Sequence, residues 1–91
     1  MTKLEVVDEI CAGMAILDYF DDAIIGYDTS TKRIIYDWQL MIDILIKEHE
    51  LAIDEAEEYI EYNILNLHLT NDDGENITPI ILGRFYYDDK L

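Results

Sequence analysis

The chain has 91 residues and a formal net charge of −15, from 21 acidic and six basic side chains. With 51% apolar residues and one proline, a wholly disordered chain is not expected, and the length fits one domain, residues 1–91, with a modest core. Phosphate binding needs Lys and Arg, so direct contact with DNA, RNA or anionic lipid is not expected either. No apolar run reaches the roughly 18 residues of a membrane span. The opening MTKLEVVDEI carries acids where a signal peptide would be basic. Cys11 is the single cysteine and has no internal disulfide partner, which suits a reduced cytoplasm.

Residues 2–17 read as a helix. Thr2 and Glu5 stand at capping-box spacing, and Leu4, Val7, Ile10, Cys11, Met14 and Leu17 fall along one stripe. Gly13 weakens that helix by about 1 kcal/mol relative to Ala. Cys11 on the stripe reads as a small buried hydrophobe rather than a nucleophile. A β-hairpin is predicted over 23–36: a strand from Ala23 to Tyr27, the polar turn Thr29-Ser30-Thr31-Lys32, and a second strand from Arg33 to Tyr36. Gly26 inside the first strand marks a bulge or a close backbone approach, with room for a bound ligand the lesser alternative.

Asp37 can cap a helix over 38–48, where Trp38, Leu40, Met41, Ile42, Ile44, Leu45 and Ile46 leave little polar circumference. Asp43 and Lys47 are placed to pair four residues apart. A second helix is expected over 53–67. Ile53, Ala56, Ile60, Ile64 and Leu67 form its apolar stripe, with Asn63 the polar exception, and Asp54, Glu55, Glu57, Glu58 and Glu61 lie opposite without a base among them. Asn71 to Asn76 is a loop. A last strand is placed over 80–86, with Pro79 at its start or on a sheet edge. The order α-β-β-α-α-β indicates an α+β fold, a small three-stranded, mostly antiparallel sheet packed with helices. Its edges, and the aromatic run Phe85-Tyr86-Tyr87 at the end of the Ile-rich last strand, make a homodimer a reasonable expectation.

No chemistry-bearing motif stands out. Thr29, Ser30 and Thr31 have no histidine nearby, and His49 and His68 match no common zinc spacing. Asp72-Asp73-Gly74-Glu75 is only faintly like a calcium loop, lacking alternating acids before the glycine and a distal bidentate Glu. No catalytic, cofactor or metal residues are assigned, and no enzymatic activity is expected. The seven tyrosines can serve the core margin or an interface. Tyr59 and Tyr62 border the acidic side of their helix, a setting suited to arginine-rich protein.

The run FDDAIIGYD, then RIIYDWQLMIDIL, then DEAEEYIEYN and TPIIL resembles a family of small uncharacterised acidic phage and prophage proteins. The resemblance covers roughly residues 20–82. It rests on Phe20, Asp21, Ile24, Ile25, Gly26, Tyr36, Asp37, Met41, Ala56, Tyr59, Ile60, Tyr62, Asn63, Pro79 and Ile80. Ala52 departs from it, standing where the family tends to carry a Ser or Thr cap, and the amino-terminal helix is longer than the family suggests. The resemblance implies a fold and no catalytic residues.

These readings converge on an expected protein-binding module. It would be an inhibitor or modulator of a host or phage nucleic-acid-related protein, reaching a basic protein partner through an acidic, DNA-imitating surface in the cytoplasm of a host cell. The residues expected to carry it are Asp54, Glu57, Glu58, Tyr59, Glu61 and Tyr62. A structural or regulatory homodimer with no charge-driven target is the alternative, and a small ion-binding protein the third reading.

Overall fold

The computed structural model describes residues 2–84. Helix α1 spans Lys3–Ile10 and opens as its sequence requires. The Glu5 amide donates to Thr2 Oγ1 at 3.2 Å, while the Thr2 amide reaches Glu5 Oε1 at 3.5 Å. The helix expected over 2–17 stops early, because Cys11 is its C-cap and Gly13 turns the chain at φ +83°. Beyond it, 11–20 is irregular and fastened from outside. Ala15 donates its amide to the Ile77 carbonyl at 3.1 Å, and Leu17 donates its amide to the Tyr36 hydroxyl at 2.8 Å. Cys11 is buried, and Met14 and Leu17 still pack on the core, so the apolar stripe is used without a continuous helix to carry it.

A single 3-10 turn at Asp21–Ala23 leads into strand β1, Ile24–Tyr27, which pairs antiparallel with β2, Ile34–Asp37. The first strand thus starts one residue later than expected, Ala23 belonging to the turn. The register shifts between Ile24 and Gly26, placing the bulge at the glycine-containing strand. The turn between the strands is built by Asp28, whose Oδ1 accepts the Ser30 amide at 2.8 Å, and by Lys32, which adopts φ +65°.

Helix α2 spans Trp38–Glu48, capped by Asp37, whose Oδ2 accepts the Leu40 amide at 2.9 Å. Asp43 accepts from Gln39 Nε2 at 3.2 Å and makes no ion pair with Lys47, contrary to the expected pairing. Helix α3 spans Ile53–Asn63 rather than running to 67. There the Asn63 side-chain amide donates to the Tyr59 carbonyl at 3.0 Å, and the Leu65 amide folds back to the Ile60 carbonyl at 2.9 Å.

Strand β3, Ile80–Leu82, lies parallel to β2, so β2 is central and the three-stranded sheet is mixed. Two intervening helices supply the length that a parallel connection needs. Of the strand expected over 80–86, the described part ends at Leu82, which pairs with Asp37, the last strand residue before β2 becomes α2; residues 85 and 86 lie outside the described residues. Residues 85–87, the aromatic run offered for a dimer, lie outside the described residues. The core gathers Ile34 and Tyr36 from β2, Met41 and Leu45 from α2, and Ala56 and Ile60 from α3. Against it sits one buried charge among the described residues. Asp37 is fully shielded and receives Arg84 Nε at 2.6 Å and Nη2 at 3.1 Å.

Candidate functional site: the outer face of the second core helix

The site follows from the periodicity of α3. Ala56, Ile60 and the following Ile64 are buried, so the residues between them must face outwards. Asp54, Glu55, Glu57, Glu58 and Glu61 are all exposed. The first two serve the helix start: Asp54 Oδ1 accepts the Glu55 amide at 3.0 Å, and Glu55 Oε1 accepts the Ala52 amide at 3.0 Å. Ala52 has no side-chain oxygen to return the second half of a capping box. Asp54 with Glu58, and Glu57 with Glu61, are like charges four apart on a helix surface. Each pair costs the isolated helix about 0.2–0.5 kcal/mol, so the arrangement is not there for the stability of α3.

Three of the basic side chains, Arg84, Arg33 and Lys32, are engaged elsewhere. Among the described residues the one ion pair is that between Arg84 and Asp37. Arg33 donates Nε to Thr31 Oγ1 and Nη1 to the Thr78 carbonyl, each at 3.4 Å. Lys32 donates to the Thr29 carbonyl at 2.8 Å, its ammonium 5.7 Å from the centre of the Tyr27 ring. The α3 carboxylates therefore have no described cation within salt-bridge distance.

Tyr59 and Tyr62 stand on the same helix, 41% and 71% exposed. They line a shallow hollow of about 340 Å³ with Leu51, Glu55, Glu58 and Asn63. Of the six residues singled out from sequence, the hollow collects Glu58, Tyr59 and Tyr62, while Asp54, Glu57 and Glu61 lie on the helix outside it. A second hollow of about 280 Å³ shares Leu51 and Tyr59 and continues the surface to Tyr19, Phe20, Leu45 and His49. The Tyr19 ring meets His49 edge-on, centroids 5.6 Å apart at 77°. Tyr19 is 73% exposed at φ +73°, an unusual backbone for an aromatic residue.

Sequence reasoning missed Tyr19, His49 and Leu51 as parts of this surface. The only local signal was Leu51, the one large apolar residue in the short connection before α3. Tyr19 and His49 reach the site through the irregular path of 11–20 and the end of α2, which no spacing rule encodes.

Elsewhere, burial pushes the Cys11 thiol up, with a smaller opposing pull from Lys32. At Asn71–Glu75 the Asn71 Oδ1 accepts the amides of Asp73 and Glu75 at 3.0 and 2.9 Å, so the turn organises itself while Asp72, Asp73 and Glu75 point into solvent exposure. Among the described residues no group of three or more His, Cys, Asp or Glu converges on a point where a metal ion could sit. No helix among them is long and apolar enough to cross a membrane. The arrangement defines a small α+β scaffold displaying an acidic, tyrosine-bearing helix face. Comparison with protein-family models, curated proteins and solved structures finds no match to this chain.

Proposed function

We propose that this chain is a non-enzymatic protein-binding module that docks a basic partner protein on the outer face of α3. Asp54, Glu57, Glu58 and Glu61 supply the attraction, and Tyr59 and Tyr62 supply contact area and faces for arginine. The observation that carries the proposal is the combination, on one helix, of acids without a described counter-ion and exposed tyrosines, with Glu58, Tyr59 and Tyr62 around one hollow. Electrostatic complementarity of this sort speeds encounter and selects partners by sign. A negative helix face is the complement of a surface that grips nucleic-acid phosphates, so the partner class proposed is a nucleic-acid-handling protein of host or phage, which the chain inhibits or modulates by occupying that surface. The resemblance to small phage and prophage proteins agrees with this reading by analogy.

The test is a pull-down with the full chain from bacterial lysate, repeated with Asp54→Lys, Glu57→Lys, Glu58→Lys and Glu61→Lys combined. Salt is raised from about 0.05 to about 0.5 M, which shortens the screening length severalfold. Captured basic proteins should fall away in salt and be missing with the reversed variant. Retention of the same proteins under both conditions would remove the proposal. The homodimer reading is tested separately by sedimentation at micromolar concentration, where a monomer throughout counts against it.

A further inference from the structure

Away from α3, a furrow of about 220 Å³ runs between α1 and the bulged strand β1. Its walls are Val6, Val7 and Cys11 on one side and Ile25, Gly26 and Tyr27 on the other, and its one charged lining residue is Lys3. This inverts the character of the molecule. On a chain of net charge −15, the other described hollows that carry charge are predominantly acidic, Glu55 and Glu58 lining one and Asp22, Asp43 and Glu48, with the single base Lys47, lining another. A second base, itself outside the lining, stands near one wall: the Lys32 ammonium lies 5.7 Å from the centre of the ring of Tyr27, which lines the furrow. That ammonium spends one donor on the Thr29 carbonyl and keeps two for a ligand. Its positive field reaches the furrow wall, since it draws the Cys11 thiol down against the larger effect of burial.

We propose that this furrow binds a small amphiphilic monoanion, a medium-chain carboxylate, with its apolar tail between α1 and β1 and its carboxylate at Lys3 or Lys32. The furrow falls below the roughly 300 Å³ at which drug-sized pockets begin, so the ligand is a short single chain rather than a fused-ring cofactor. An added peptide strand is a poorer occupant. The bulge between Ile24 and Gly26 interrupts the regular edge that strand addition uses.

Gly26 offers a way to close the furrow. A Cβ added there meets no atom within 4 Å, and its φ is not in the left-handed region, so Gly26→Leu fills open space without a clash at the new carbon.

The experiment titrates the isotopically labelled full chain with octanoate, and in parallel with octanol and octylamine, following amide shifts and the melting temperature. Octanoate is expected to move Val6, Val7, Cys11, Ile25, Gly26 and Tyr27 and to raise the melting temperature. Octanol should bind the same residues about fivefold more weakly, the scale of one or two partly screened charge contacts. Lys3→Gln with Lys32→Gln should bring octanoate down to the octanol level, and Gly26→Leu should abolish the shifts. Equal binding of octanol and octanoate to the wild-type chain would overturn the proposal without recourse to any variant. So would shifts scattered outside the furrow, or shifts at these residues on dilution alone, which would mean that a second copy occupies it.

Discussion

Replacing Arg84 by Met tests the most exposed consequence of the fold, the buried carboxylate of Asp37. That carboxylate performs two tasks at once. It caps α2 through the Leu40 amide at 2.9 Å, and it receives Arg84 at 2.6 and 3.1 Å. Asp37 is fully buried, whereas the Arg84 side chain is 46% exposed. Breaking a fully buried pair costs about 3–5 kcal/mol, and exposure of the cationic partner to solvent reduces this to about 2 kcal/mol here. Arg84 has a further interaction besides this pair, so its single variant does not isolate the pair. A double-mutant cycle with Asp37→Ala does. Asp37→Ala should cost about 1 kcal/mol for the lost cap plus the pair. The coupling between the two changes should be about 1.5–2 kcal/mol. Urea unfolding followed by circular dichroism supplies all four stabilities. For a chain of this size a loss of 2 kcal/mol corresponds to about 8–16 °C in Tm. A coupling below about 0.5 kcal/mol, the level of an ordinary surface pair, would refute the reasoning.

Three further outcomes follow from particular residues. Ala52→Ser should add about 0.5–1 kcal/mol, because Ala52 has the extended N-cap backbone, φ −71° and ψ 161°, and receives Glu55 but has no oxygen to offer in return. Denaturant melts would show the gain. Gly13→Ala should cost about 1 kcal/mol since φ is +83° there, whereas Gly26→Ala should fall within about 0.5 kcal/mol of wild type; paired melts compare them. Burial above all pushes the Tyr36 phenol up, assisted by Asp21 and Asp18 and opposed by the Leu17 amide. A raised folded value means that the native state holds its proton longer. The contribution is therefore intact below about pH 10, where the unfolded phenol titrates, and is lost as pH climbs through the folded value. Tyr36→Phe should flatten the alkaline fall in stability measured by urea melts between about pH 9 and pH 11.

Much of the scaffold was legible because local chemistry and global packing agree at those points. Asp37 before a nearly all-apolar run fixes the start of α2, and Thr2 with Glu5 fixes the start of α1. The polar tetrapeptide at 29–32 marks the hairpin turn, and the one-sided acids of α3 mark its outer face. The misreadings share a physical origin. Helical periodicity continues past Gly13, but residues on an irregular path can fill the same core positions, as Met14 and Leu17 do. The end of β3 among the described residues falls where β2 turns into α2, a fact of pairing rather than of the Ile-rich strand itself. The Arg84–Asp37 pair spans 47 positions, and no local pattern announces it. The acidic half of the candidate site was readable from α3 alone. Tyr59 and Tyr62 were readable with it, whereas the extension of the surface to Tyr19 and His49 depends on tertiary placement.

The central claim, that α3 is where a basic partner docks, is tested most directly by mapping a short arginine-rich peptide onto the labelled chain by amide shifts at low salt. Binding is expected to move residues from Leu51 to Asn63, centred on Glu58, Tyr59 and Tyr62, with no response once Asp54, Glu57, Glu58 and Glu61 are reversed together. Shifts distributed across all acidic segments of the chain, from α1 to the loop at Asp72 and Asp73, and unaltered by that reversal, would contradict it.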